Sequence, residues 1–389
     1  MSKLFTKTIV AIAFAAMALT AVSCHPDEPE VPSGNEADAK AEAIAAQFVD
    51  HTVTPTYSAL AAKAELLADK LAALKANPTD AGIAEACAIF LEARSEWEKS
   101  EAFLFGAAGD FGIDPHIDSW PLDVTNFNTL MNSPDMLNRL AGDDGDVVAG
   151  DNLGNALLGF HGIEYILFAN GQPKAAAAIS ANEWIYAAAV AGDLRNRCYQ
   201  LEVSWIGDAA PESHIAKVEE LELNSTVAGG DLSYGENMKK AGQAGSTYYS
   251  RVAALMAIVD GCKTIADEVG TSKIGSAYSG EDETYIESPY SQKSIVDFHD
   301  NIVSIQNAYM GGVEGQRNES KSLHAFVKES DADLDARVIA AIDNALAKID
   351  AMPAPFVNHI SDPANGVAME ACQAVDEVFS EVNELLRSI

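Results

Sequence analysis

The 389-residue chain is short of bases, with 25 Lys and Arg against 58 Asp and Glu. Its formal charge of −33 argues against a nucleic-acid partner, because affinity for phosphate backbones needs clustered cations. Aromatic residues make up only 7%, and Val and Ile are sparse beside abundant alanine. Ala loses no side-chain entropy in a helix, whereas β-branched residues suit strands, so this balance favours helix over sheet. Cysteine is scarce too, and no C-x-x-C pair occurs, which disfavours a zinc-thiolate site or a thioredoxin-type redox motif. Past the amino terminus no run is long and apolar enough to span a bilayer. What is present is 48% apolar residues, enough to exclude wholesale disorder, over a length that one core rarely serves.

Met1 to Cys24 has the layout of an export signal. Lys3 and Lys7 form a basic start, Thr8 to Thr20 an apolar stretch, and Ala21, Val22 and Ser23 precede the cysteine. A cysteine directly after such residues resembles the lipobox of bacterial lipoproteins, in which the signal is cut before the Cys and its thiol carries lipid. Residues 1–23 are therefore read as a lipoprotein signal peptide and Cys24 as the lipidation site. Residues 24–36, rich in Pro and acids, form a solvated tether. Losing Lys3 and Lys7 takes the net charge from −33 to −35, so lipid, and not a basic patch, would meet the membrane. The expected location is the bacterial cell envelope, on the periplasmic face or the cell surface. Cys87, Cys198, Cys262 and Cys372 lie far apart among apolar helical residues and read as buried free thiols.

Amphipathic spacing predicts helices over 37–76, with a break or kink at Pro55, and over 81–105, ending near Gly106. Residues 106–150 lack periodicity, and an irregular segment of that length is often functional. Helical pattern resumes over 153–169, 182–206, 211–223, 238–269, 291–310, 331–351 and 364–386, with an acidic loop at 276–289. No convincing strand pattern appears. The Gly/Ser/Asn-rich stretch 224–235 is the best boundary. The chain thus reads as all-α, two four-helix-bundle-like domains, 37–228 and 229–389, packed together.

Three segments could carry chemistry. On a helix Arg94, Trp97, Glu98 and Glu101 would share one face, either as a site or as a solvated face with Arg94 paired to Glu98. Asp114 to Asp123 puts acids, His116 and Trp120 on an irregular stretch, where Asp residues equally cap turns. In Gly159 to Phe168, His161 and Glu164 stand one helical turn apart on a face shared with Leu157, Tyr165 and Phe168. A buried carboxylate there must be paired, hydrogen-bonded or metal-bound. The zincin spacing H-E-x-x-H and its inverse H-x-x-E-H are both incomplete, since Tyr165 replaces the second His of the latter. Nor is a second Glu-x-x-His copy, as in di-iron bundles, visible.

Four motifs in order, Trp97-x-x-x-Glu101-Ala-Phe-x-Phe-Gly106, Asp118-Ser-Trp-Pro121, G-x-H-x-x-E over Gly159, His161 and Glu164, and Ile305 to Gly311, together resemble imelysin-like proteins over about residues 37–386. The resemblance implies two similar helical bundles with a site between them near the G-x-H-x-x-E helix, in a bacterial envelope protein associated with iron uptake. The family was also classed as metallopeptidase. Carried over by residue, His161 and Glu164 are the expected metal ligands, completed by Glu101 or Asp118. Trp97, Trp120 and Tyr309 are expected to contact ligand. The leading expectation is a non-enzymatic lipoprotein that binds iron or an iron-containing ligand and works with other envelope iron-transport components. The alternatives are a zinc-dependent peptidase using Glu164 as ligand or base, and an envelope protein-binding module.

Overall fold

A computed structural model describes residues 36–388; the expected signal peptide, Cys24 and the tether up to residue 35 lie outside the described residues. Nearly every element is helical. The long ones are α1 (Glu36–Phe48), α2 (Thr54–Ala76), α3 (Asp80–Glu98), α4 (Gly159–Leu167), α5 (Ala181–Ile206), α6 (Arg251–Asp267), α7 (Ser294–Met310), α8 (Ala332–Asp350) and α9 (Pro363–Arg387). Their starts follow from the sequence. The Thr79 side chain accepts from Gly82 N–H at the head of α3, and Ser180 with Glu183 closes a capping box on α5, each satisfying amides that a helix leaves open.

The packing makes two groups. α2 lies against α3 and α5, with α4 on α3 and α5. α9 lies against α6 and α8, α7 packs on α6 and α8, and α1 packs on α6. The groups meet where α3 touches α7 and where the 3-10 turn Glu101–Phe103 touches α6 and α7. Aromatic rings fill this junction: Phe103 sits 5.8 Å from Phe48 and 5.4 Å from Tyr57, and Tyr57 lies 6.4 Å from Trp205. All four are buried, each contributing about 1.5–3 kcal/mol of apolar transfer. Cys87, Cys198, Cys262 and Cys372 are buried free thiols as expected. Among the described residues no helix is long and apolar enough to cross a membrane.

Three expectations need correction, and a fourth takes a specific form. The break expected at Pro55 is a π-helical turn, Val49–Val53, that joins α1 to α2 just before the proline. Proline has no N–H to give the carbonyl four residues back, and that carbonyl, on His51, accepts from Val313 N–H at 2.8 Å. Residues 106–150 are not irregular but carry short helices, among them Ile113–Ile117 and Val124–Met131, too brief to show a period. The expected helix from 238 to 269 starts only at Arg251. A two-stranded antiparallel pair, Phe168–Ala169 with Gln172–Pro173, also exists, turned by Asn170 and Gly171 at φ 50° and 74°, a hairpin signal the strand search passed over.

Candidate functional site

Short local constraints bring the three sequence segments together. α3 ends at Glu98, so Glu101 does not continue its face as the helical spacing suggested. It starts the 3-10 turn, yet remains beside Glu98 because both approach Lys273, at 3.6 Å and 3.9 Å. Asp118 follows the short helix Ile113–Ile117. Gly159, the first residue of α4, has φ 66°, and any Cβ there would collide with the Ile117 carbonyl. That contact sets α4 directly against the segment leading to Asp118, which is the physical reason for glycine at the head of G-x-H-x-x-E.

His161 Nδ1 lies 3.2 Å from Glu164 Oε2, and its Nε2 lies 3.1 Å from Asp118 Oδ1. The second contact is off the line of a hydrogen bond, and Nε2 has no hydrogen-bond partner among the described residues. Burial works against the charged imidazole, but Asp118 and Glu164 outweigh it and carry its pKa up to about 9. Glu164 is held from afar: its Oε1 accepts the backbone N–H groups of Tyr290 at 3.0 Å and Ser291 at 2.7 Å. Both its oxygens are thus engaged, and its visible work is to tie the segment 287–291 of the later half to α4.

That segment delivers Glu287, which sequence reasoning missed. Glu287 is fully buried and its Oε1 accepts from Arg94 at 2.5 Å and from Lys273 at 3.1 Å. Its Oε2 is buried without a hydrogen-bond partner among the described residues. Arg94 also pairs with Glu98 and Asp118 and stands 3.8 Å from Asp297. Trp97 Nε1 donates to Asp118 Oδ2 at 2.7 Å, Asn301 to Glu98 at 2.5 Å, and Ser288 to Asp297 at 2.5 Å. Nothing in the local sequence distinguishes Glu287 from the exposed acids of its loop. Lys273 lies in the π-helical turn Glu268–Ile274, among Gly, Thr and Ser residues that gave no signal of a buried base.

Among the described residues this cluster buries six carboxylates, on Glu98, Glu101, Asp118, Glu164, Glu287 and Asp297, against two permanent cations, Arg94 and Lys273. The surplus has electrostatic consequences. Burial drives the Glu98 and Glu101 carboxyls well above the usual range and pushes Asp297 up to about 7 and the nearby Asp114 up to about 6. Burial opposes ionisation of Asp118 as well, but Arg94 and His161 outweigh it and hold that carboxyl below its ordinary value. Three overlapping sets bring ligand atoms within 4.8 Å of one another: Asp118, His161 and Glu287; Glu98, Glu101 and Asp118; Glu98, Glu287 and Asp297. Glu98 Oε1 is likewise buried without a hydrogen-bond partner among the described residues. The first set combines two such atoms, His161 Nε2 and Glu287 Oε2, with the cluster's imidazole, so its donors fit a bound cation.

Trp120 stands at the edge of this cluster, its ring 6.4 Å from His161 and 3.8 Å from the Tyr285 ring at a tilt of 31°. Tyr309 is not brought to it. Its hydroxyl donates to Asp335 at 2.8 Å, and its ring packs against His324 and Phe379.

Residues 53–382 match the imelysin family model. The chain belongs to the imelysin family. An iron-regulated protein A of Synechococcus elongatus is 25% identical over 340 residues, 87% of this chain and 83% of its own length. A crystal structure described as an iron-regulated protein A precursor from Parabacteroides distasonis is 28% identical, covers 91% of this chain and 96% of its own, and has a TM-score of 0.76. An imelysin-like protein from Psychrobacter arcticum, 13% identical with a TM-score of 0.60, covers 91% of this chain and 95% of its own and shares the fold. In this imelysin, then, the motif histidine meets Asp118 from the preceding segment and a buried acid cluster assembled from both halves of the chain.

Proposed function

We propose that the protein is a non-enzymatic envelope protein that binds iron, or an iron-containing ligand, at the Asp118–His161–Glu287 centre and hands it to other envelope iron-transport components. The observation that carries this reading is the buried acid surplus with unpartnered donor atoms that include His161 Nε2 and Glu287 Oε2. Uncompensated buried carboxylates are costly and are relieved by protons or by a cation. One imidazole among carboxylate oxygens suits iron, and a net charge of −33 raises the local cation concentration. Relatives named iron-regulated protein A support the same choice of metal. Asp118 would be oriented by Trp97 and Arg94, and His161 by Glu164, the outer partners that fix ligand geometry in metal sites. A lipid on Cys24 would hold the protein at the membrane.

Zinc peptidase chemistry is less well supported. It needs a free base beside the metal, and Glu164, the motif acid, already has both oxygens engaged.

The test is metal content by elemental mass spectrometry after incubation with ferrous, ferric or zinc salts and desalting, for the wild type and for His161→Ala/Glu287→Gln. One equivalent of iron, lost in the double variant, is the expected result. No bound metal in the wild type would sink the reading. Zinc uptake with peptide cleavage that disappears in Glu287→Gln would replace it with the peptidase.

A further inference from the structure

A separate cleft of about 520 Å³ opens where the first residues of α2 and the end of α3 face α7, α8 and the loop after α7. Its floor is apolar, from Pro55, Ala59, Val303 and Leu346, and Arg317 and Lys99 stand among its polar lining. The two bases differ. Lys99 lies 3.6 Å from Glu96, so its charge is partly answered. Arg317 makes only neutral contacts: Nε donates to Gly312 O at 3.3 Å, and one terminal nitrogen donates to Gln306 Oε1 at 2.9 Å and Asn307 Oδ1 at 3.1 Å. Among the described residues no carboxylate pairs with it, in a chain with 58 acids. Glu314, also in the lining, forms no ion pair with it.

The guanidinium is also pre-set. Gln306 and Asn307 belong to the Ile305–Gly311 motif, for which the iron centre gives no role. The loop carrying Arg317 is pinned to α1 and to the turn between α1 and α2, by Gln47 Nε2 donating to Gly311 O at 2.8 Å and by Val313 N–H donating to His51 O at 2.8 Å. A positioned arginine fork suits a planar oxyanion. An apolar floor beneath it suits a carbon skeleton better than a bare inorganic ion, since burying that floor against water-sized anions gains nothing.

We propose that this cleft binds a small organic carboxylate, with Arg317 as its anchor and Lys99 as a weaker, second contact. The site needs no metal at His161 and stands or falls apart from the iron reading. The probe is tricarballylate, a tricarboxylate without the hydroxyl that makes citrate a strong iron chelator, titrated calorimetrically into the metal-free protein. Saturable binding is expected, weakened about tenfold or more by Arg317→Ala, the equivalent of about 1.4 kcal/mol, and less by Lys99→Ala. Because Arg317→Ala could loosen its loop, Ala59→Phe supplies a second variant that fills the floor and leaves the guanidinium in place; it should also abolish binding. His161→Ala should bind as the wild type does. The proposal is overturned by absence of binding, by affinity that survives both Arg317→Ala and Ala59→Phe, by loss of binding in His161→Ala, or by inorganic phosphate binding as tightly as tricarballylate.

Discussion

Two of the buried histidine–carboxylate groups among the described residues, at His324 and at His161, look alike as residue lists and differ in how their polar atoms are used. His324 Nδ1 lies 2.7 Å from Asp335 Oδ1, and the same carboxylate takes the Tyr309 hydroxyl. One acid serves two partners, and none of the three side chains has an unpartnered buried atom. Around His161, six acids face two permanent cations, and His161 Nε2, Glu287 Oε2 and Glu98 Oε1 are left without hydrogen-bond partners among the described residues. A buried His–acid contact is therefore uninformative about function by itself. The charge balance of its surroundings and the unpartnered atoms separate a structural tie from a site prepared for a cation.

The largest expected break in this contrast is Arg94→Met. It removes the cation that faces four carboxylates, and breaking a buried ion pair typically costs about 3–5 kcal/mol. Urea denaturation of metal-free protein at pH 7.5 should show at least that loss; a loss under about 1 kcal/mol, as for an exposed pair, would mean that the cluster is solvated. The same substitution should be milder near pH 5, where the raised carboxyls of Glu98, Glu101 and Asp297 hold protons.

Next in size is the pH dependence of the metal-free wild type. Asp297 titrates from about 7 in the fold against 3.8 as an ordinary carboxyl, so between these values the native state binds more protons than the unfolded chain and stability falls as pH rises. His161 is raised from 6.5 to about 9; its contribution is full below 6.5 and disappears as pH climbs through 9. Both act in one direction. The melting temperature of metal-free protein should decline from pH 5 to pH 9, and bound metal should flatten the slope. A rising or flat profile without metal would contradict the charge surplus.

How much of this could be read from the chain depends on distance along it. The helical class, the buried thiols and the His161–Glu164 proximity follow from local spacing, and α3, α5, α7, α8 and α9 fall close to the periodic segments. Asp118 joined His161 in the sequence reading only through motif order, because the close contact that unites them rests on Gly159 against Ile117, a packing fact with no local signature. Glu287 and Lys273 come from the later half, and a buried acid in an acidic loop has no marker until its neighbours are known. Glu164 shows a different limit: its residue type and motif place suggested a metal ligand, and only the fold reveals that its oxygens meet His161 and amides 126 and 127 residues away.

The smallest effect is expected at the satisfied cluster. Tyr309→Phe removes one hydroxyl and keeps the ring, whose packing against Phe379 at 5.6 Å does not depend on it. Asp335 retains His324 as a partner, so no carboxylate is left alone, and the loss should be about 0.5–1.5 kcal/mol, the usual net worth of one hydrogen bond. Metal content should not change. The family resemblance marked Tyr309 as a ligand-contacting residue, and this substitution separates that role from a structural one without removing a charge. If Tyr309→Phe emptied the His161 centre while leaving the melting temperature within a degree or so, the two clusters would act as one unit despite sharing no hydrogen bond, and counting unpartnered atoms would have misjudged which of them serves the ligand.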